Sequence, residues 1–218
     1  MNLSEQKEVI KPVGISRTDV FFDRKFIDRA YENVYNKMPQ ARGKKIILYA
    51  PTFRGRVAKG KAPNKMDLSM FREALGDEYV MLIKHHPLVR KLPQIPEDCV
   101  DFALDVTNDM TIDDLICTSD ICISDYSSLV FEYSLFERPM IFFAYDKAEY
   151  DDWRGFYYNY EEMTPGPICT ENEEMIDYIK NLDTRFDKKE VQDFRYKFMM
   201  SCDGHATERI LSMVTGED

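Results

Sequence analysis

Asp120-Ile-Cys-Ile-Ser-Asp-Tyr-Ser-Ser128 is the stretch of the chain that decides the fold. Its apolar part, 120–124, predicts a buried strand, and residues 129–136 follow it with the apolar spacing of a helix. Asp125-Tyr-Ser-Ser128 lies between them. The first N–H groups of a helix have no partner within the helix, and the helix dipole favours negative charge there. This order of strand, hydroxyl-rich turn and helix therefore predicts a site for a ligand that carries phosphate.

The rest of the chain alternates predicted strands with predicted helices. The apolar runs that predict strands are residues 46–50, 79–84, 99–104, 120–124 and 139–145. The predicted helices cover residues 18–38, 67–75, 111–118, 171–182 and 187–200, whereas 146–167 is aromatic and is expected to be irregular. Such alternation is typical of an α/β, doubly wound, Rossmann-like parallel sheet, which binds ligands at the carboxyl ends of its strands. We expect residues 1–40 to form a lead-in whose helix packs on a domain of residues 41–218.

Composition excludes several classes of function. The 218 residues are 44% hydrophobic and 31% charged, as in a soluble globular protein of one large or two small domains. The net charge of −10 argues against nucleic-acid binding. No apolar run approaches the roughly 20 residues of a membrane helix, so we expect no direct membrane insertion by this chain. The N-terminus is too polar for a signal peptide, and the five cysteines lack metal-type spacing. We expect a cytoplasmic protein without metal or cofactor.

Polar side chains that can bind phosphate or move a proton follow three predicted strands. Thr52 and Arg54 come after the first, His86 after the second, and Asp125-Tyr-Ser-Ser128 after the fourth. The carboxyl ends of the strands face one crevice, so we expect these side chains to converge. Arg54 can bind two phosphate oxygens with its guanidinium fork, and Thr52 can donate a hydroxyl hydrogen bond. His86 can exchange a proton near neutral pH.

Each of these residues also has a purely structural interpretation. Thr52 would shape the turn after its strand, and Arg54 would belong to a solvated basic loop. His86 would bond to backbone at a strand end, and Ser127 would cap the helix. Glu132, one helical turn after the serines, would either reach a ribose hydroxyl or remain a surface glutamate.

Three common motifs are missing from the sequence. There is no Walker A lysine motif and no Gly-x-Gly-x-x-Gly, which disfavours NTPase and dinucleotide-binding functions. Ser127 is not flanked by the glycines of Gly-x-Ser-x-Gly, which disfavours a serine hydrolase of the nucleophile-elbow type. The phosphate-binding interpretation has to rest on other features.

The chain resembles the CDP-glycerol glycerophosphotransferase family, the polymerases and primases of teichoic-acid-like polymers. The residues that carry the resemblance, in family order over about residues 13–213, are Gly14-Ile-Ser-Arg-Thr-Asp19, Leu48-Tyr-Ala-Pro-Thr-Phe-Arg54, His86-Pro-Leu88, Ile123-Ser-Asp-Tyr-Ser-Ser128, Phe131-Glu-Tyr133, Arg138-Pro139, Arg154-Gly-Phe-Tyr157, Pro165-Gly-Pro167 and Asp203-Gly-His-Ala206 with Arg209. Singly these motifs are weak, but together they are specific. Two departures are Glu132, where the family more often has Asp, and the additional His85 before His86.

The resemblance implies a GT-B-type fold of which this chain is the C-terminal, nucleotide-donor half. An N-terminal GT-B domain that would bind the acceptor is missing from the sequence. The resemblance further implies a CDP-glycerol or CDP-ribitol donor and transfer of its polyol phosphate to a polyol-phosphate or glycan acceptor, with release of CMP. The implied location is the inner face of the cell membrane, as part of a larger protein. Carried over by position, the catalytic residue is His86, and the donor-binding residues are Thr52, Arg54, Asp125, Ser127, Ser128, Glu132 and Arg154.

Two other functions remain open at this point. One is a glycosyltransferase half of the same fold that uses a sugar nucleotide, in which the attacked atom would be an anomeric carbon. The other is a nucleotide-binding or interaction module without catalytic activity. The role of His86 is also open: a base for the acceptor hydroxyl must be neutral, whereas a histidine that stabilises phosphate works best as the imidazolium.

Overall fold

A single parallel sheet organises the chain. The computed structural model describes residues 10–55, 60–154 and 159–216, and for residues 151–154 it describes the backbone alone. Its strands are β1 (Lys45–Tyr49), β2 (Tyr79–Ile83), β3 (Ala103–Asp105), β4 (Ile121–Ser124), β5 (Met140–Phe143) and β6 (Ile168–Cys169). The strand order is β3-β2-β1-β4-β5-β6, and every pairing is parallel. This is the doubly wound order, whose direction of winding reverses between β1 and β4, so the predicted fold class is confirmed.

The α-helices cover both faces of the sheet. They are α1 (Arg24–Lys37), α2 (Leu68–Leu75), α3 (Ile112–Thr118), α4 (Leu129–Tyr133), α5 (Lys147–Arg154), α6 (Asn172–Lys180), α7 (Leu182–Arg185), α8 (Lys188–Met199) and α9 (Ala206–Thr215). None of the helices in the described ranges combines the length and the apolar character that crossing a bilayer requires.

Alternation along the strands divides the interior into two apolar cores. In β1, Leu48 belongs to the core beneath α1, α3 and α8, whereas Ile47 belongs to the core beneath α2 and α6. Successive side chains of a strand point to opposite faces, so a strand covered on both sides is apolar throughout. This explains why the strands read as continuous apolar runs in the sequence.

The lead-in consists of two helical segments instead of the single predicted helix 18–38. A 3₁₀ helix, Ser16–Phe22, precedes α1. Asp23 between them has an extended backbone, and its side chain accepts a hydrogen bond from the Lys25 N–H. An N-capping residue of this kind cannot itself be helical. Ala30 and Val34 of α1 are buried in the core beneath that helix, and the division of the chain at residue 40 stays a prediction.

The structure differs from the sequence-based expectations at three other places. The strand predicted at 99–104 begins only at Ala103, because Glu97–Cys99 forms a 3₁₀ turn after Pro96. Residues 146–167, predicted to be irregular, contain α5 and a second 3₁₀ turn, Tyr160–Met163. The two-residue strand β6 was missed because so short a strand gives no periodicity.

His85, just after β2, is a buried histidine. Its side chain is 4% exposed, and its Nε2 atom lies 3.8 Å from the Asp105 Oδ2 atom. Burial lowers the pKa of His85 below its ordinary value, and the opposing charge of Asp105 does not compensate. His85 is therefore neutral in the folded protein at neutral pH.

This burial predicts a pH-dependent stability. Between the lowered folded pKa of His85 and its unfolded value of about 6.5, only the unfolded chain binds the proton, so the free energy of unfolding should rise with pH across that window. Leucine at this position cannot titrate, so His85→Leu should flatten the rise in urea titrations from about pH 5 to about pH 8. The matched variant His205→Leu changes an exposed histidine, and its free energy of unfolding should still rise with pH as in the parent. An unchanged slope in His85→Leu would contradict the burial of a neutral ring.

Candidate active site

The carboxyl ends of β1 and β4 meet where the winding of the sheet reverses. Asp125, directly after β4, is 3% exposed and accepts two hydrogen bonds from Thr52, which follows β1. The Thr52 N–H lies 2.8 Å from Asp125 Oδ1, and the Thr52 hydroxyl lies 3.0 Å from Oδ2. The Tyr126 N–H also donates to Oδ1, at 2.7 Å. The structure thus brings Thr52 and Asp125 together in the crevice where doubly wound sheets bind ligands.

Arg54 lies in the same crevice and holds two carboxylates. Its Nη1 atom donates to Asp125 Oδ2 at 2.9 Å, and its Nε and Nη2 atoms donate to the two oxygens of Asp146 at 2.5 and 2.9 Å. Its Cζ atom lies 5.2 Å from the ring centre of Tyr126 and 5.7 Å from that of Tyr150. The sequence predicts that the guanidinium fork of Arg54 binds two phosphate oxygens. In the structure this fork binds the two oxygens of Asp146.

The electrostatics of this group favour a fixed charged network. Burial lowers the pKa of Arg54, but the hydrogen bond to Asp146 and the charge of Asp125 outweigh burial and raise that pKa above the ordinary arginine value. Burial also raises the pKa of Asp125, and Arg54 and the Thr52 and Tyr126 N–H groups oppose this rise. Such partners offset the free-energy cost of burying a charged carboxylate.

Ser127 and Ser128 form the turn between β4 and α4. The Ser127 hydroxyl accepts a hydrogen bond from the Leu129 N–H at 3.2 Å. This bond satisfies an N–H group at the start of α4, as the interpretation of Ser127 as a helix cap predicts. Ser128 occupies the N-cap position, makes no side-chain capping bond and is exposed. Of the two serines, Ser128 is thus the better placed to donate to a ligand at this turn.

His86 packs against the loop that carries Thr52 and Arg54. Its ring centre is 4.8 Å from that of Phe53, which lies between Thr52 and Arg54. Its Nδ1 atom accepts a hydrogen bond from the Leu88 N–H at 3.1 Å. Since Nδ1 is an acceptor, the neutral ring carries its proton on Nε2.

Glu132 forms an ion pair with Arg17 of the lead-in. Arg17 donates to Glu132 through Nη1 and to Asp113 through Nη2. Burial raises the pKa of Glu132, the charge of Arg17 lowers it, and the net direction is upward. The structure therefore places Glu132 against the lead-in, and its contact with a ribose stays a prediction.

Two crevice residues were missed from the sequence, and one predicted residue cannot be placed. Asp146 and Tyr126 were not singled out, although Asp146 follows a predicted strand and could have been found by the same rule that selected Thr52. The Tyr126 hydroxyl donates to Asp146 Oδ1 at 2.9 Å. Arg154 was predicted to bind the donor, and its side chain lies outside the described part of the structure. In that part no cluster of His, Cys, Asp and Glu is arranged to hold a metal ion.

Comparisons with known proteins match most of the sequence to one family. The sequence profile of the family described as CDP-Glycerol:Poly(glycerophosphate) glycerophosphotransferase matches residues 3–216. The Teichoic acid poly(ribitol-phosphate) polymerase of Bacillus spizizenii is 36% identical over 209 residues, which cover 95% of this chain and 33% of that protein. The Teichoic acid poly(glycerol phosphate) polymerase of Staphylococcus epidermidis is 39% identical over 182 residues, or 81% of this chain and 25% of that protein.

A solved structure shows the same relationship in three dimensions. It is a histidine-to-asparagine variant of the Wall Teichoic Acid Polymerase TagF soaked with CDPG, 34% identical to this chain, with a TM-score of 0.79. The match covers 97% of this chain and 51% of the other. The chain thus spans from a quarter to about half the length of these relatives. The predicted resemblance and the GT-B-type fold are confirmed.

The network around Arg54 predicts a measurable loss of stability on a conservative change. In Arg54→Lys a single ammonium replaces three nitrogens that bond to Asp125 and Asp146, and the free energy of unfolding should fall by about 2 kcal/mol. Arg72→Lys is the matched control, because Arg72 also forms a two-point pair, with Asp101, but at an exposed site. Its free energy of unfolding should fall clearly less than that of Arg54→Lys, because solvent screens an exposed ion pair. Equal losses in urea unfolding would show that burial of the Arg54 pair is unimportant.

Proposed function

The chain belongs to the CDP-glycerol:poly(glycerophosphate) glycerophosphotransferase family, and we propose on that basis that it binds CDP-glycerol or CDP-ribitol for transfer of the polyol phosphate to a hydroxyl acceptor. The observation that carries the proposal is the meeting of Thr52, Arg54 and Asp125 at the switch point, directly before the exposed turn at Ser128. Crevices at this position of a doubly wound sheet bind nucleotides.

The reaction breaks one phosphorus–oxygen bond and forms another. The acceptor hydroxyl oxygen attacks the phosphorus that bears the polyol, its proton passes to a base, and CMP leaves with the electron pair of the broken bond. Such a transfer needs hydrogen-bond donors on the diphosphate and a base for the hydroxyl. We assign the binding of the diphosphate to the turn at Ser127 and Ser128, with Thr52 and Arg54 holding that turn through Asp125.

The geometry of His86 favours hydrogen-bond donation over proton abstraction. Because Nδ1 accepts a hydrogen bond from the Leu88 N–H, the neutral ring carries its proton on Nε2. To take a proton from the acceptor at Nε2, the ring would first have to move its own proton to Nδ1 and lose the bond from Leu88. We therefore propose that Nε2–H donates to an oxygen of the donor diphosphate. In this proposal the base for the acceptor hydroxyl comes from the part of the enzyme that this chain does not contain.

The rest of the enzyme is also a matter of proposal. The relatives are two to four times the length of the matching region, so we propose that an N-terminal GT-B domain supplies the acceptor site. The acceptor would be a polyol phosphate or a glycan. We further propose that the complete protein works at the cytoplasmic face of the membrane, where such polymers are begun.

Calorimetry with the isolated chain tests the donor assignment. We expect CDP-glycerol or CDP-ribitol to bind more tightly than CMP, and UDP-sugars to bind weakly. The double variant Ser127→Ala with Ser128→Ala should weaken that binding about tenfold or more for each hydroxyl that donates to the diphosphate, because each such bond contributes roughly 1.5–3 kcal/mol. Ser212→Ala, in α9, should have no effect. Preference for a UDP-sugar would favour a glycosyltransferase half, and full affinity in the double variant would refute the phosphate placement.

The role of His86 can be tested by a substitution that keeps a donor. His86→Ala should weaken CDP-glycerol binding about tenfold, whereas the side-chain amide of His86→Gln should restore most of the affinity. If His86 is a base, neither variant will change donor affinity, and in the complete enzyme both will lower turnover by roughly 10²–10⁴-fold. That result would reverse the assignment.

A further inference from the structure

One arginine connects the lead-in to the side of the domain on which the crevice opens. Arg17, in the 3₁₀ helix Ser16–Phe22, donates to Glu132 of α4 through Nη1 and to Asp113 of α3 through Nη2. Asp113 lies in the first turn of α3, which follows β3, and α4 follows β4. In a parallel sheet each connecting helix starts beside the carboxyl end of the strand before it. Arg17 therefore lies at the same edge of the sheet as the crevice.

Glu132 shares the outer face of α4 with Ser128. Leu129, Val130 and Tyr133 are buried, whereas Ser128 is exposed and the Glu132 side chain is 17% exposed. Ser128 has helical backbone angles, so the two side chains are related as positions i and i+4, whose Cβ atoms are about 5–6 Å apart. Glu132 thus lies within one helical turn of the residues to which we assign the diphosphate.

One oxygen of Glu132 is left for a ligand. Arg17 bonds to Oε1, whereas Oε2 has no hydrogen bond within the described residues and is not among the unpartnered atoms sealed from solvent there. Burial raises the pKa of Glu132, and the charge of Arg17 opposes that rise. Arg17 therefore fixes the direction of the carboxylate and favours its ionised form, which is the stronger hydrogen-bond acceptor.

The charges around Arg17 favour hydroxyl groups over phosphate. One positive charge, on Arg17, is held between two negative charges, on Glu132 and Asp113, so the group as a whole repels an anion. A hydroxyl, in contrast, can donate to an ionised carboxylate. The ribose of a nucleotide is joined directly to its diphosphate. The 2′- and 3′-hydroxyls of a donor bound at Ser128 are therefore the groups from which Glu132 Oε2 can accept a hydrogen bond.

We propose that Arg17 is a positioning residue, which holds Glu132 so that the site distinguishes a ribonucleotide from a deoxyribonucleotide. The proposal rests on the donor function proposed above and deepens it, because it gives the lead-in a part in donor recognition. The family resemblance selects Glu132 by position but assigns no role to Arg17 or to Asp113. Arg17 acts through Glu132 and touches no reacting atom, and Asp113 fixes the other side of the guanidinium.

Calorimetry on the intact chain tests this role, with CDP and 2′,3′-dideoxy-CDP as probes. The parent should bind CDP about tenfold or more tightly than the dideoxy analogue, because a hydroxyl that donates to a carboxylate makes a charge-assisted bond. Arg17→Gln should weaken the binding of CDP to nearly that of the analogue and should leave the affinity for the analogue unchanged. Glu132→Gln removes the charged acceptor itself and should lower the same preference.

Arg195→Gln is the matched control. Arg195, in α8, also donates to a half-buried glutamate, Glu137, and this variant should keep the preference of the parent for CDP. Arg17→Lys keeps the positive charge and provides a second variant if Arg17→Gln does not fold. Its single ammonium cannot hold both carboxylates in the geometry of a guanidinium fork, so the preference for CDP should still fall.

Two results would overturn the proposal. One is an unchanged preference for CDP in both Arg17 variants, even if the affinities for the two nucleotides fall together, which is what a purely structural arginine would give. The other is a parent chain that binds both nucleotides equally, which would place the ribose hydroxyls away from Glu132. Either result leaves the donor function standing, because CDP still binds. Failure of the parent to bind CDP-glycerol would instead remove the proposed function, and this inference with it.

Discussion

The buried carboxylate of Asp125 is the constraint on which the crevice depends. It accepts hydrogen bonds from the loop after β1, through Thr52 and Arg54, and from the Tyr126 N–H in its own turn. Because a buried charge is costly unless it is fully partnered, the two loops cannot separate without exposing or orphaning it. The same carboxylate therefore sets the position of the Ser127–Ser128 turn relative to β1.

Arg54 extends this constraint to β5. Its contacts with Asp125 and Asp146 join the loops after three neighbouring strands, β1, β4 and β5, and Tyr126 reinforces the contact by donating to Asp146. A guanidinium held by two carboxylates on two sides, with tyrosine rings beside it, has little freedom left to move. Arg54 is thus held in place as part of the wall of the crevice, and its contact with a phosphate stays a prediction.

Much of this architecture could be predicted from the sequence because it depends on local signals. The runs 46–50, 79–84, 120–124 and 139–145 are apolar throughout, as strands covered on both faces must be. The strand-end rule then located Thr52, Arg54, His86 and Asp125. The partner of each charge could not be read in the same way. Arg17 meets Glu132 and Asp113, which are about a hundred residues distant in the chain, and only the packing of the lead-in brings them together.

The two neighbouring histidines show how one strand end can place two rings in different surroundings. Extended backbone directs successive side chains to opposite faces of the sheet. Ile83 and His85, two residues apart, line the same cavity beside the ends of β1 and β2, whereas His86 contacts Phe53 in the loop after β1. Burial keeps the ring of His85 neutral, whereas the ring of His86 accepts a hydrogen bond from the Leu88 N–H. The two rings thus differ in burial and in partner although they are adjacent in the chain, so residue type and position alone could not assign their environments.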